Sequence, residues 1–342
     1  METSVEVDSG ALLDGGALLD GRVDAETAGS MDASQDAGIP RTASSFICGN
    51  WADPRDNFDP DNLVPSGLAA TDDYATVLAT SDAILGDFQS LIGANSVRLP
   101  INEPTVSGAW WQTYKGAIDA ATARGMDVLV SYWAYPNQGL IQNVGNFNAM
   151  WTQVVSDYVG NSHVYFQIMN EPWGYTSDAW IQIAANWIAM FPQVPRGRIV
   201  VAGSYSDGNV TAEGADSRFD GTLLSLHIYG FDNSTLSSVQ GWRDTMQADL
   251  GAFGARTVVT EWGGPMTSGI DYSQANDGNH DGAYFTAISG YIHDNHMGSC
   301  IWPLLRNGDA WSITTLSGSG AQSTLTPTNA SGLARVRYAS GM

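Results

Sequence analysis

From Ser44 onward, short apolar runs alternate with longer stretches whose apolar residues recur at helical spacing. The runs are SFICGNW (45–51), SVRLPIN (96–102), DVLVSYW (127–133), VYFQIMN (164–170), RIVVAGS (198–204), LLSLHIY (223–229), RTVVTEW (256–262) and SCIWPLL (299–305). Runs of this length that lack polar alternation predict strands buried on both faces, as in a parallel sheet. Amphipathic helices are predicted between most of them, among others over 72–92, 108–124, 177–191 and 278–297. In the third of these, Trp180, Ile183 and Trp187 share one face, which is assigned to the helix–sheet interface. Eight β-then-α units over roughly 300 residues match a single α/β domain, a (β/α)8 TIM barrel over 44–342. An open doubly wound sheet would want a G-x-G-x-x-G turn after an early strand, and none occurs.

Residues 1–43 break the pattern. They are rich in Asp, Ala, Gly and Ser, repeat GALLDGGALLDG and hold no aromatic residue, which predicts a disordered acidic tail or linker. The 342-residue chain carries 14 basic and 36 acidic residues, a formal net charge of -22, and Lys115 is its one lysine. That charge repels phosphate backbones and anionic membranes, so neither nucleic acid nor a membrane surface is an expected partner. No apolar run is long enough to cross a bilayer, and the N-terminus lacks a signal peptide's basic-then-apolar pattern. The expectation is a monomeric, secreted or cell-surface protein whose export signal is absent from this chain.

The two cysteines, Cys48 and Cys300, fall on the first and eighth runs, which neighbour each other where a barrel closes. A bond between adjacent parallel strands asks for unusual geometry, so two buried thiols are predicted rather than a disulfide.

Active sites of such barrels lie at the C-terminal ends of the strands. There the second run brings Arg98 and Asn102, the fourth Asn170-Glu171-Pro172, the sixth His227 and Tyr229, the seventh Glu261-Trp262, and the eighth Trp302. So many convergent polar groups are costly to bury unless they are used. The fourth and seventh strands stand about 135° apart on a ring of roughly 7 Å radius, so their Cα atoms should be about 13 Å apart. Side chains reaching roughly 4 Å inward leave about 5 Å between the carboxyl groups, the spacing of a retaining glycosidase.

SVRLP around Arg98, QIMNEP around Glu171, SLHIYG around His227, VVTEWGG around Glu261 and CIWPLLRNGDAWSI around Trp302 together resemble glycoside hydrolase family 5 over residues 44 to 342. The resemblance implies a retaining β-glycosidase without cofactor or metal. In it Glu171 is the general acid/base and Glu261 the nucleophile. It also implies that Asn170 bonds the sugar 2-hydroxyl, that Arg98 and Tyr229 hold Glu261, and that His227 binds sugar or Glu171. Trp302 offers its indole to the pyranose ring. The repulsion of Glu261 is expected to hold the Glu171 proton above its usual range.

One departure stands out: where the family places a histidine at the end of the third strand, this chain has Trp133, predicted as a further stacking platform. Loop aromatics Trp51, Trp110, Trp111, Trp173, Tyr175, Trp262 and Trp311 could line the cleft or pack in the core.

Other signals are set aside. DGNHDG at 277–282 lacks the glutamate that a calcium loop needs at its twelfth position and reads as a loop cap. The acidic turn at 54–62 reads as solvated, and His293 with His296 as a surface pair. The expected substrate is a polysaccharide or oligosaccharide, cleaved by an endo-β-glucanase acting on cellulose-like or mixed-linkage glucan. A β-mannanase is the nearest alternative, and a catalytically silent carbohydrate-binding barrel a remote one. A metal-dependent hydrolase is disfavoured by the scarcity of ligands.

Overall fold

The computed structural model describes residues 40–135, 139–274 and 277–342, so the predicted acidic tail up to residue 39 lies outside the described residues. Eight parallel strands close into a barrel in chain order. They are β1 (Ile47–Trp51), β2 (Ser96–Ile101), β3 (Asp127–Tyr132), β4 (Val164–Gln167), β5 (Ile199–Ala202), β6 (Leu223–His227), β7 (Thr257–Trp262) and β8 (Ser299–Leu305). Each coincides with a predicted run, and the (β/α)8 barrel is the observed fold. Packing begins slightly ahead of residue 44: Ala43 is buried, and Arg41 pairs with Asp127 while its amide donates to the Tyr165 hydroxyl.

The helices α1 (Tyr74–Ile92), α2 (Glu103–Ser107), α3 (Trp110–Ala123), α4 (Val144–Tyr158), α5 (Ser177–Met190), α6 (Thr211–Ala215), α7 (Val239–Leu250), α8 (His280–Asp294) and α9 (Ala330–Ala339) accompany the strands. Polar side chains start most of them. Asp73, Asn143, Thr176, Ser238, Asn279 and Asn329 each accept an amide of the first turn of α1, α4, α5, α7, α8 and α9, which occupies a donor the helix itself cannot satisfy. The DGNHDG stretch is thereby a cap, as predicted. Trp180 and Trp187 are buried against the barrel. A hairpin of β9 (Thr314–Ser317) and β10 (Thr324–Pro327) follows β8. Among the described residues no helix is long and apolar enough to cross a membrane.

Strand side chains alternate with period two, and in a closed barrel one set fills the interior in layers. The lower layer is apolar: Cys48, Leu129, Tyr165, Val200, Leu223, Val258 and Cys300 pack on Phe46 and Ala43. Here the expectation of two thiols is corrected, because Cys48 and Cys300 are bonded. They are register partners on β1 and β8 with Cα atoms 4.1 Å apart. Both side chains point into the same interior layer, which brings the two sulfurs together.

Two residues further along the strands the interior turns polar. Asn50, Arg98, Ser131, Gln167, Ser225 and Thr260 are all buried and hydrogen-bonded to one another or to the strand backbone. This layer is the platform on which the strand-end residues stand.

Candidate active site

Arg98 organises the platform. Its Nε donates to Gln167 Oε1 at 2.6 Å, Nη1 to Asn50 Oδ1 at 2.8 Å and Glu261 Oε1 at 2.5 Å, and Nη2 to Ser131 Oγ at 3.0 Å and Asn170 Oδ1 at 2.6 Å. A guanidinium has five N–H donors, and here each has an acceptor. A cation this deeply buried needs that full set of partners, and in return it fixes the Glu261 carboxylate. The other Glu261 oxygen, Oε2, accepts the Tyr229 hydroxyl at 2.7 Å. Burial, joined by the charges of Glu261 and Glu171, pushes the Tyr229 phenol well up, so it stays a donor.

Simple alternation would send Glu261 outward, since its neighbour Thr260 already points in to meet Ser225. An irregularity resolves this. Between β6 and β7 the register steps from Leu226–Val259 to His227–Glu261, and the bulge turns Glu261 back toward the mouth.

Glu171 follows β4 with a left-handed backbone, φ 44°. Its Oε1 meets His227 Nδ1 at 2.9 Å, and the same nitrogen lies 3.5 Å from Glu261 Oε2. Single ligand atoms of Glu171, His227 and Glu261 all fall within 4.8 Å of one another, in agreement with the separation expected from barrel geometry. The trio could also converge on a cation, but Arg98 and Tyr229 already occupy the Glu261 oxygens.

The Glu171 side chain is 25% exposed at the floor of the cleft, and its carboxyl is raised to about 7. The leading cause is burial, with Asp232 and Asp56 adding repulsion against the opposing Arg98. Sequence reasoning assigned the rise to Glu261, whose charge is instead met directly by Arg98 and Tyr229. Burial likewise pushes the His227 imidazole down, against the pull of Glu261 and Asp207.

The eight predicted site residues therefore meet at one mouth. Asn170 Nδ2 and His227 Nε2 are buried there without a hydrogen-bond partner. Trp302 lines the cleft and stacks on Trp133, with ring centroids 5.5 Å apart and planes inclined by 27°. Trp133 is 3% exposed, and Phe58 abuts its ring. It backs Trp302 and lines the same cleft, with most of its surface covered. Asn102 does not join the site. It caps α2 and holds the carbonyls of Asp59 and Asp61.

The cleft, about 360 Å³, is also lined by Asp56, Phe58, Phe231, Arg306, Asp309 and Trp311. Asp56 and Phe58, half-buried, come from the acidic turn read as solvated and border the cleft, while Asn57 between them is buried. A cavity of about 580 Å³ adjoins Glu171 on the other side, walled by Trp173, Tyr205 and Phe231. Among the aromatics named as cleft or core candidates, Trp51, Trp110, Trp111 and Trp262 are core, while Trp173 and Trp311 face these spaces.

Sequence reasoning missed Asp207, which lies beyond β5 and is wholly buried. It accepts the Glu171 amide at 2.8 Å and lies 3.7 Å from His227 Nε2. Burial raises its carboxyl to about 6, against the pull of His227. Its one sequence signal is the turn-forming stretch SYSDGN, which marks a loop and no chemistry.

Residues 79–308 match the family model Cellulase (glycosyl hydrolase family 5). An endoglucanase, MaCel5A of Microbulbifer sp. (strain ALW1), is 24% identical over 222 residues, 60% of this chain and 41% of that protein. The chain thus aligns with well under half of that relative's length. Among solved structures, a hyperthermophilic endocellulase of the archaeon Pyrococcus horikoshii superposes with TM-score 0.62 at 18% identity, covering 86% of this chain and 92% of that one. XacCel5A in complex with cellopentaose superposes with TM-score 0.56 at 16% identity, covering 76% and 90%.

Proposed function

This chain belongs to glycosyl hydrolase family 5, and from that premise we propose that it is a retaining endo-β-1,4-glucanase acting by double displacement. The observation that carries the reading is the contrast between two neighbouring carboxyl groups. Glu261 is gripped by a guanidinium and a phenol, whereas Glu171 is held at the protonated end of its range. A carboxyl raised by burial suits the acid, and one held in place by a guanidinium and a phenol suits the nucleophile.

In the first step Glu261 attacks the anomeric carbon, and the Glu171 proton goes to the departing glycosidic oxygen. In the second, Glu171 takes a proton from water, which attacks the glycosyl ester and frees Glu261. The Asn170 side chain stands beside the Glu171 carboxyl, and its buried Nδ2 is a donor that suits a sugar 2-hydroxyl oxygen. The Trp302 ring supplies an apolar face for the pyranose. The aromatics of the two adjoining spaces extend that surface for a polymer bound on both sides of the cleaved bond, and a substrate of this size is met outside the cell.

The test is reducing-end release from soluble β-glucans, β-mannan and xylan, with the intact protein beside Glu261→Gln. Release from β-1,4-glucan that disappears in the variant is expected. Activity indifferent to Glu261, or confined to mannan or xylan, would overturn the reading.

A further inference from the structure

The loop after β5 contains three consecutive left-handed residues, Tyr205 (φ 57°), Ser206 (φ 60°) and Asp207 (φ 62°), none of them glycine. Each such residue is strained, so a run of three persists only where the surroundings hold it. Its neck is tight: a Cβ on Gly203 would lie 2.6 Å from the Asn209 carbonyl oxygen, so only glycine fits there. The Asp207 amide donates back to the Gly203 carbonyl at 3.1 Å, and Asn209 pairs with Ser204 across the base of the turn.

All this conformational cost has one visible result, which is to drive Asp207 inward while Tyr205 stays exposed. Inside, Asp207 touches both residues of the acid pair. Its Oδ2 accepts the Glu171 amide at 2.8 Å, and its carbonyl accepts the His227 amide at 2.9 Å. The same Oδ2 faces His227 Nε2 at 3.7 Å, and Oδ1 is anchored by the Gly203 amide at 3.1 Å. Glu171 is itself left-handed, and Asp207 is the acceptor that holds its N–H in that pose.

We propose, resting on the reading of Glu171 as acid/base, that Asp207 is a positioning residue that fixes the backbones of Glu171 and His227 through their amides, so that the carboxyl proton points at the glycosidic oxygen. It touches no substrate and acts through Glu171. Losing it displaces the acid while leaving the nucleophile, held by Arg98 and Tyr229, in place.

This predicts a loss that depends on the leaving group. Aryl β-cellobiosides bearing phenyl, 4-nitrophenyl and 2,4-dinitrophenyl groups span departures that need much, some and almost no protonation. For Asp207→Ala, kcat/KM should fall about 10- to 100-fold on the phenyl substrate, the scale of a misplacement near 1 Å, and less than about threefold on the dinitrophenyl one. Turnover of the latter should be accelerated by azide, which replaces water without needing a base. Asp207→Asn keeps the volume and tolerates the left-handed backbone, but its single carbonyl oxygen can serve only one of the two amides. It should fold as wild type, and its leaving-group dependence should lie between those of wild type and the alanine variant.

Glu171→Ala is measured on the same substrates. If it shows the steep dependence while both Asp207 variants lose activity equally on all three substrates, or lose none, the positioning role is overturned. A flat response from Glu171→Ala would instead strike the acid assignment itself.

Discussion

Below Asn50 the barrel interior holds Phe46, Cys48, Leu129, Tyr165, Val258 and Cys300, sealed by a disulfide where the ring closes. Two residues higher, the same strands carry Asn50, Ser131, Gln167 and Thr260 around a guanidinium, and above them two carboxyls, an imidazole and a phenol. The lower end is stabilised by burial of apolar surface, which is tolerant of detail. The upper end is stabilised only if every partner is present, because an unpaired buried charge costs several kcal/mol. Chemistry should therefore be set from above, while stability draws on both ends by different means. A cavity of about 440 Å³ lies near Ser44, Gly254 and Met297, away from every predicted site residue, and a cavity alone does not make a site.

Variants at the two ends should separate these properties. Glu261→Gln is expected to reduce turnover on the order of 10⁴-fold or more with the melting temperature little changed, as activity and thermal melting on one preparation would show. Arg98→Ala breaks the contrast from above: it strands Glu261 without its cation, so a destabilisation of about 3–5 kcal/mol in denaturant unfolding should accompany loss of activity. Replacing Cys48 and Cys300 together by alanine breaks it from below. Unfolding should become easier by about 2–5 kcal/mol while kcat/KM stays within about twofold, and a large activity loss in a folded variant would show that the two ends are coupled.

The mildest perturbation is pH. The acid must be protonated in the free enzyme, and Glu171 is raised to about 7, so kcat/KM should fall about tenfold per unit above pH 7. An alkaline limb that begins near the ordinary glutamate range would contradict the buried environment described for Glu171.

The two ends also differ in how much of them the sequence reveals. The strands and the four helices named at the outset are legible because buried runs and amphipathic periods are local signals. The site residues are legible because barrel topology sends strand ends to one mouth. What stays hidden depends on register. The parity that places Cys48 and Cys300 in one interior layer fixes their bond, and the bulge that turns Glu261 inward leaves no mark in VVTEWGG. Asp207 and Phe58 sit in loops rich in turn residues, where composition says only that the chain bends. Trp133 was visible, but its stacking against Trp302 follows from packing across the mouth between β3 and β8.

The central claim is that Glu171 and Glu261 act as an acid/base and nucleophile pair at retaining distance. Following the anomeric proton signals of the first product released from a soluble cello-oligosaccharide by time-resolved NMR tests it directly. The β-anomer should appear first and mutarotate to the α-form; initial release of the α-anomer would mean that water, and not Glu261, attacks the sugar.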